Sequence, residues 1–223
     1  MSLENYLIEA DFPIGSVRPH LLGLRTGATL HRLTRRADGD WLVAPPSYRH
    51  QRCDPPEGHK DAYGMLYLAA HRETAAFELC ILRMIKSGPK TERLEFIEDA
   101  EDPTTGEMPA PCQEVIHTVS SSCFFVDLDH SSVCAQFGES LKTPLDQYET
   151  WQKVCLKVYK EIRAQGSALF APVVGVTFAS QHRGTGGRNF AVFEEFRDKV
   201  LSRGITRPLD AESLKQAIKR LPV

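Results

Sequence analysis

The order of apolar and polar positions along the chain predicts many short strands and few helices. Strands are expected wherever apolar and polar residues alternate, or where a short run is almost wholly apolar. Six segments fit this description: 29–34, 64–70, 94–97, 123–128, 173–178 and 190–193. Their spacing lacks the regular strand–helix–strand alternation of a doubly wound parallel sheet, so we predict the α+β class.

Apolar residues that recur at intervals of three and four predict three helices. The first covers 73–85 and stops at Gly88-Pro89, and the second carries Trp151 and Val154 and ends at Gly166. The third covers 210–221, with Asp210 as its cap. Between these elements, the acidic and proline-rich segment 98–114 is expected to be a long loop or insertion.

These predictions divide the chain into one main domain with two flanking segments. Residues 1–28 are interrupted by proline and glycine and are expected to be irregular. Residues 29–200 are expected to form a single domain that contains the acidic insert, and 201–223 a helical tail. A chain of 223 residues buries enough surface to fold without a metal or a disulfide.

Composition excludes several classes of protein. The chain has 27 Lys and Arg against 29 Asp and Glu, whereas general binders of nucleic acid or anionic membranes are usually basic. The longest apolar stretch, 168–179, is too short to cross a bilayer, and the N-terminus lacks the pattern of a signal peptide. We therefore expect a cytoplasmic protein that binds neither nucleic acid nor a membrane. The six cysteines form no CxxC pair, so reduced, buried thiols are favoured over a zinc set such as Cys123, His130 and Cys134.

Three features carry candidate chemistry, and each has a structural alternative. Basic side chains concentrate in two early segments, which form either an anion pocket or a solvated face: His31, Arg32, Arg35 and Arg36, then Arg49, His50 and Arg52. The glycine-rich segment 181–189 either closes on phosphate oxygens or simply connects two strands. Glu78 interrupts an apolar stretch and lies either on the polar side of its helix or in a cleft.

Several short motifs, taken in order, resemble the RES domain family, which is named for its Arg, Glu and Ser. The family's first half resembles Leu30-His31-Arg32, Gln51-Arg52-Cys53-Asp54, Tyr63-Gly64-Met65-Leu66-Tyr67-Leu68-Ala69 and Glu73-Thr74-Ala75-Ala76-Phe77-Glu78. Its closing segment resembles Gly175-Val176-Thr177-Phe178-Ala179-Ser180 and Asn189-Phe190-Ala191-Val192-Phe193. The resemblance covers residues 28–196 in patches. The acidic insert lies outside it, and Cys53 departs from the aromatic residue that more often follows the family's arginine.

The resemblance implies a fold and an activity. RES proteins are similar in fold to ADP-ribosyltransferases of the diphtheria-toxin kind, so a split, mixed or antiparallel sheet with flanking helices is expected. They cleave the nicotinamide–ribose bond of NAD⁺ and act as toxins paired with a helix-turn-helix antitoxin. NAD⁺ is then the expected substrate, no metal is expected, and the oligomeric state stays open.

Carried over by position, the resemblance also implies site residues. Arg32, Glu78 and Ser180 match the family's Arg, Glu and Ser, and are the expected catalytic residues. Expected to bind the dinucleotide are Arg32, Arg52, Tyr63, Tyr67, Ser180 and Asn189. Nicotinamide leaves through a cation-like ribosyl group, so a carboxylate stabilises the developing charge. Glu78 is expected in that role, the arginines at the pyrophosphate, a tyrosine ring against nicotinamide, and Ser180 bonded to the dinucleotide or to Glu78.

Three alternatives remain at this stage. The same site can transfer ADP-ribose to a protein, with label from the adenosine part ending up in protein instead of a small molecule. A second alternative is a module that binds a nucleotide or a partner without turnover. A thiol hydrolase is the third, although no cysteine has a recognisable nucleophile context.

Overall fold

The computed structural model describes residues 7–35, 41–78, 82–86, 92–96, 111–139, 147–165, 172–180 and 187–218. The strands are β1 Leu7–Ala10, β2 Leu21–Leu24, β3 Thr29–Thr34, β4 Met65–Ala69, β5 Leu82–Lys86, β6 Glu92–Phe96, β7 Gln113–Val119, β8 Cys123–Asp127, β9 Val173–Ala179, β10 Arg188–Phe193 and β11 Leu201–Pro208. The helices are α1 Arg72–Glu78, α2 Ser131–Gln136, α3 Gln147–Gln165, α4 Glu194–Val200 and α5 Ala211–Ile218.

Nine of these strands form one mixed sheet in the order β1-β2-β8-β9-β10-β4-β3-β7-β11. Every neighbouring pair is antiparallel except β8 and β9, which run parallel. A parallel pair needs a crossover connection, and here α2 and α3 lie between the two strands in sequence. β5 and β6 pair with each other in a separate two-stranded sheet.

Helices cover both faces of the large sheet. On one face, α3 packs its apolar side, including Trp151, Val154 and Val158, against β8, β9 and β10. The same face also carries a smaller cluster in which Leu33 of β3 meets α1 and α5. On the opposite face, residues of α4 and β11 pack on the central strands. The two clusters of the first face are separate, and the space between them is where the candidate site lies.

The α+β prediction is confirmed by this mixture of a largely antiparallel sheet and helices. All six predicted strands are present in the structure, although their ends differ by one or two residues. The predicted amphipathic helix of Trp151 and Val154 is α3. The predicted cap of the last helix is also confirmed, because the Ser213 amide donates to Asp210 Oδ1 at 2.9 Å.

Two local predictions were wrong, for reasons that sequence periodicity does not reveal. Residues 82–86 form β5 instead of continuing the helix predicted over 73–85, because a short apolar run is compatible with either element. In the predicted loop over 98–114, Gln113 and Glu114 begin β7, and residues 98–110 lie outside the described residues. β11, α2 and α4 were not predicted at all.

The predicted flanking segments also belong to the main sheet. Residues 7–10 and 21–24, expected to be irregular, are β1 and β2. Gly23 in β2 was expected to interrupt regular structure. A Cβ atom there would lie 2.6 Å from the ring of Phe124 on β8, so a larger residue would have to displace that ring. Residues 201–208, expected to be helical, are the edge strand β11. Within the residues that the structure describes, no helix is long and apolar enough to cross a membrane.

Candidate active site

The floor of a cavity is formed by one row of residues that runs across four strands. His31 on β3 pairs with Ala69 on β4, Ala69 pairs with Asn189 on β10, and Asn189 pairs with Phe178 on β9. Paired residues of neighbouring strands point to the same face of a sheet, so all four side chains share the face that α1 and α3 cover. Because Ala69 has only a methyl group, the row has a gap between His31 and Asn189.

The walls of this cavity come from the two separate clusters on that face. Ala75 and Glu78 of α1 line one side, and Tyr148 of α3 lines the other, together with Gln51 and Arg52. The cavity is open on one side and has a volume of about 260 Å³. This is close to the lower end of the range for ligand pockets, about 300–1,000 Å³, so the cavity suits one half of a dinucleotide better than the whole.

The Glu78 carboxylate accepts hydrogen bonds from Asn189 of β10 and from Ser180, which directly follows β9. Asn189 Nδ2 donates to Glu78 Oε1 at 2.8 Å, and Ser180 Oγ donates to the same oxygen at 3.2 Å. Asn189 is 3% exposed, and its own carbonyl accepts the Thr177 hydroxyl at 2.7 Å, which fixes the strand that presents it. Both hydrogen bonds end on Oε1. Within the described part of the chain, Glu78 Oε2 has no partner and is available to a ligand.

Arg52 supplies a buried positive charge on the same cavity. Its guanidinium carbon lies 4.6 Å from the ring centre of Trp151, 5.1 Å from that of Phe178 and 5.3 Å from that of Tyr148. Arg52 is 8% exposed, and among the described residues its Nε has no hydrogen-bond partner. A buried arginine is usually paired with an acid or with carbonyl groups. Here the guanidinium is enclosed by rings and forms no ion pair with a described residue, which suits the binding of an external anion.

The short segment that carries this guanidinium is fixed on both sides. Gln152 of α3 donates to the Gln51 carbonyl at 3.0 Å, and the Gln51 amide donates to Asp54 Oδ2 at 2.8 Å. Tyr67 on β4 accepts the Cys53 amide and donates its hydroxyl to Asp54 Oδ1, both at 3.1 Å. Burial raises the pKa of Tyr67 well above its ordinary value of 10.0, so the hydroxyl stays protonated and keeps donating. The arginine is therefore preorganised by the protein.

A buried charged group also lies behind His31. His31 Nδ1 is 3.1 Å from Glu114 Oε1 on β7, and Arg207 of β11 donates to Glu114 Oε2 through Nη2 at 2.9 Å and Nε at 3.1 Å. Glu114 is fully buried. The hydrogen bonds from His31 and Arg207 outweigh burial and lower the pKa of Glu114 below its ordinary value of 4.5. The carboxylate is therefore ionised and compensated.

The structure brings most of the predicted site residues together, but not all. Arg52, Tyr67, Glu78 and Asn189 line the cavity, and Ser180 reaches it through its hydrogen bond to Glu78. Two predicted residues are placed differently.

Arg32 borders the cavity, yet its Nη2 donates to the Leu42 carbonyl at 3.2 Å. Alternation along β3 puts its side chain on the face opposite His31, with Leu30. Tyr63 is 5% exposed and packs in the core with Tyr159 and Phe193, outside this cavity.

The predicted basic segments and the glycine-rich segment have divided outcomes. Arg49 is structural, because it donates to the carbonyls of Ala44, Lys60 and Tyr63. Arg52 is the residue of its segment that serves the cavity. Residues 36 and 181–186 lie outside the described residues. In the described ranges, no group of three or more His, Cys, Asp or Glu side chains is placed to hold a metal ion, and the five described cysteines are free and buried.

Sequence reasoning missed four residues of the site. His31 was noted in a basic cluster and in the motif Leu30-His31-Arg32 but was given no role, although alternation along 29–34 places it on the same face as the apolar Leu33. The three rings around Arg52 come from α3 and β9, about a hundred positions further along the chain, and no local pattern joins them to it. The position of His31 could therefore be predicted from the sequence, whereas the rings around Arg52 could not.

Comparison of the chain with models of protein families finds no match, and comparison with curated proteins finds none either. The chemistry of the site itself therefore has to indicate the function. Among the described residues, the site combines a fixed carboxylate with one unpaired oxygen, a buried cation that forms no ion pair, and an imidazole backed by an ionised carboxylate. The carboxylate can stabilise a developing cation, and the guanidinium can bind a phosphate group.

Proposed function

We propose that the protein binds NAD⁺ in this cavity and cleaves the bond between nicotinamide and ribose. The observation that carries the proposal is the presence, on one cavity, of both the Glu78 carboxylate and the Arg52 guanidinium, which forms no ion pair with a described residue. NAD⁺ has the matching chemistry, because it joins a cationic leaving group on ribose to an anionic pyrophosphate. The resemblance to RES and ADP-ribosyltransferase-like enzymes supports the same reading.

The reaction needs little more than positioning and charge. Nicotinamide leaves as a neutral base when the pair of electrons in its bond to ribose C1′ returns to the ring nitrogen. Positive charge then develops on the ribose, and Glu78 Oε2 is the oxygen available to stabilise it. Asn189 and Ser180 hold Oε1, so the carboxylate does not need to reorient during the reaction. Arg52 holds the pyrophosphate, and the small cavity receives the nicotinamide and its ribose.

The test is nicotinamide release from NAD⁺ by the wild-type protein and by Glu78→Gln. The amide keeps an oxygen for Asn189 and Ser180 but removes the negative charge. We expect a loss of about 100-fold or more in kcat, which is the usual effect of removing one electrostatic stabiliser of a transition state. Glu149→Gln is the matched control, because Glu149 is exposed on α3 and its ion pair among the described residues is with Lys153. Wild-type protein that releases no nicotinamide would refute the proposal, and so would full activity in Glu78→Gln.

The acceptor of the ADP-ribose group is determined in the same experiment. Release is measured with and without inorganic phosphate, and with NAD⁺ labelled in its adenosine part. Label in free ADP-ribose indicates hydrolysis, and label in its 1-phosphate indicates phosphorolysis. Label in protein indicates a mono-ADP-ribosyltransferase, and tight binding of NAD⁺ without turnover indicates a non-catalytic module.

The resemblance extends the proposal to a toxin that inhibits growth by depleting NAD⁺, held inactive by a helix-turn-helix antitoxin. Expression from a tightly repressed promoter tests the first part. We expect cellular NAD⁺ to fall before growth stops, and neither change to occur with Glu78→Gln. Growth arrest that persists with Glu78→Gln would show that any toxicity has another cause.

A further inference from the structure

We infer that His31 is the general base of the reaction, and that Glu114 and Arg207 are the residues that position it. The inference rests on the proposed function and adds a step to it. The evidence is the chain of contacts from the β11 edge to the cavity floor, together with the place of His31 in the floor row. None of these three residues serves the carboxylate or the guanidinium described above.

The contacts of the imidazole fix which nitrogen carries the proton. An ionised carboxylate only accepts hydrogen bonds, so His31 Nδ1 must be the nitrogen that donates to Glu114. In the neutral ring, Nε2 is then an acceptor. Within the described part of the chain Nε2 has no protein partner, and His31 borders the cavity. The ring therefore presents a proton acceptor to whatever occupies that space.

Arg207 makes a buried carboxylate tolerable at this position. Glu114 is fully buried, and an unpaired carboxylate there would become protonated. Two hydrogen bonds from the Arg207 guanidinium keep it ionised. A carboxylate behind an imidazole holds the ring in one orientation and stabilises the imidazolium that forms when the ring takes up a proton. A ring that served only as a packing residue would not need this compensated charge.

The geometry places His31 across the cavity from the reacting carboxylate. His31 and Asn189 lie two strands apart in the same row, so their Cα atoms are about 10 Å apart. Asn189 binds Glu78, and Ala69 leaves space between the side chains of His31 and Asn189. A ribose bound against Glu78 therefore has room on its His31 side for an acceptor molecule that carries a hydroxyl group.

Water is the simplest acceptor of the ribosyl group. A water oxygen forms a bond to ribose C1′ while the bond from C1′ to the nicotinamide nitrogen breaks and its electron pair returns to the ring. The water proton passes to His31 Nε2, which becomes an imidazolium beside Glu114 and later releases the proton to solvent. An acidic hydroxyl of phosphate uses the same nitrogen, and assays with and without phosphate distinguish the two acceptors.

The first test measures the tautomer and needs no activity. Nitrogen-15 NMR of the imidazole rings, with the His31 signals assigned by their loss in His31→Gln, reports which nitrogen is protonated. We expect protonated Nδ1 and unprotonated Nε2 in the neutral ring of the wild-type protein, and loss of this preference in Glu114→Gln. Protonated Nε2 in the wild-type protein would overturn the inference whatever the enzyme does.

The second test separates a base from a binding group. His31→Gln keeps a hydrogen-bond acceptor but cannot take up a proton, so we expect kcat to fall about 100-fold with KM within about threefold of wild type. His59→Gln is the matched control, because His59 is exposed and outside the cavity. A higher KM with unchanged kcat would instead identify a substrate-binding residue and overturn the base role.

The third test measures how replacing Glu114 or Arg207 changes kcat and its dependence on pH. We expect Glu114→Gln to lower kcat and to shift the acid limb of its pH profile, because the imidazolium loses its counter-charge. Among the described residues, the other titratable or charged groups near the ring are Arg207 behind Glu114 and the groups that line the cavity, which are Arg32, Arg52, Tyr67 and Glu78. Arg207→Lys should restore most of the activity lost in Arg207→Ala. Identical pH profiles for wild type and Glu114→Gln would contradict the inference.

Failure of the inference and failure of the proposed function give different results. If wild-type protein releases no nicotinamide, the function falls and the base role falls with it. If Glu78→Gln abolishes release while His31→Gln leaves kcat unchanged, the function stands and the base role is refuted.

Discussion

Replacement of Arg52 by methionine tests whether the buried guanidinium binds a ligand or supports the fold. Methionine is unbranched and polarisable, so it keeps contact with the rings of Trp151, Phe178 and Tyr148. It removes the charge and every hydrogen-bond donor of the side chain. The substitution therefore changes the electrostatics of the site and largely preserves its packing.

The expected effect on binding follows from the hydrogen bonds that the guanidinium has available. A hydrogen bond to a charged group contributes about 1.5–3 kcal/mol, and a planar guanidinium commonly makes two of them to a phosphate. Loss of about 3 kcal/mol or more corresponds to a rise in Kd of about 100-fold or more. Arg52→Lys should fall between wild type and Arg52→Met, because it keeps the charge without the paired donors.

The expected effect on stability is small, and this distinguishes the two roles. Without a ligand, Arg52 donates no hydrogen bond to any residue that the structure describes, and its buried Nε is unsatisfied among them. The three rings share one cation, so their cation–π stabilisation is taken together as about 2 kcal/mol, and an unsatisfied buried donor costs about 1–3 kcal/mol. These two effects oppose each other. We expect the free energy of unfolding to change by no more than about 1 kcal/mol, or about 2–4 °C in Tm.

Calorimetric titration with ADP-ribose, which has no nicotinamide bond to cleave, measures the effect on binding. Urea unfolding of the free protein measures the effect on stability. Arg18→Met is the control, because Arg18 is exposed and pairs with Asp11 at the surface. Wild-type affinity in Arg52→Met would refute the assignment of Arg52 as the anion-binding residue. A loss of several kcal/mol in stability would show that the arginine is structural.

Two further predictions concern the supports of the two carboxylates. Asn189→Ala should lower kcat more than Ser180→Ala does. The hydrogen bond from the Asn189 side chain to Glu78 is shorter than the one from Ser180, 2.8 against 3.2 Å, and Asn189 is buried. Equal losses of kcat in steady-state assays would contradict this ranking. The fold lowers the pKa of Glu114, so its contribution to stability is present above about pH 4.5 and is lost as pH falls through the lowered pKa. Urea unfolding between pH 7 and 3 should therefore show a weaker pH dependence in Glu114→Gln, and parallel curves would refute it.

The sequence was most informative where the strands are buried and mostly apolar. β4, β9 and β10 are short apolar runs between turn residues, and they form the floor that positions Asn189 and Tyr67. β11 was missed because it is an exposed edge strand with polar side chains and a bulge, so neither apolar alternation nor a buried run marks it. Its Arg207 was therefore out of reach of any pattern that finds core strands.

The site residues illustrate the same limit. Glu78, Asn189 and Ser180 were expected from short motifs, and the structure joins them by hydrogen bonds. The partners of His31 are set by the pairing of strands, and two of the rings around Arg52 come from a helix about a hundred positions later in the chain. A short window of sequence shows neither. Arg32 shows the converse, because a motif position alone does not say on which face of a strand the side chain lies.

The support of Glu78 also has a consequence for the protein during its synthesis. The hydrogen-bond partners of this carboxylate stand 102 and 111 positions later in the chain, with Ser180 directly after β9 and Asn189 on β10. A nascent chain that has not yet reached Asn189 has its carboxylate but nothing to orient it, and it lacks part of the cavity floor. Translation intermediates and truncated fragments that end before β10 therefore lack the complete site and, under the proposed function, would not cleave NAD⁺.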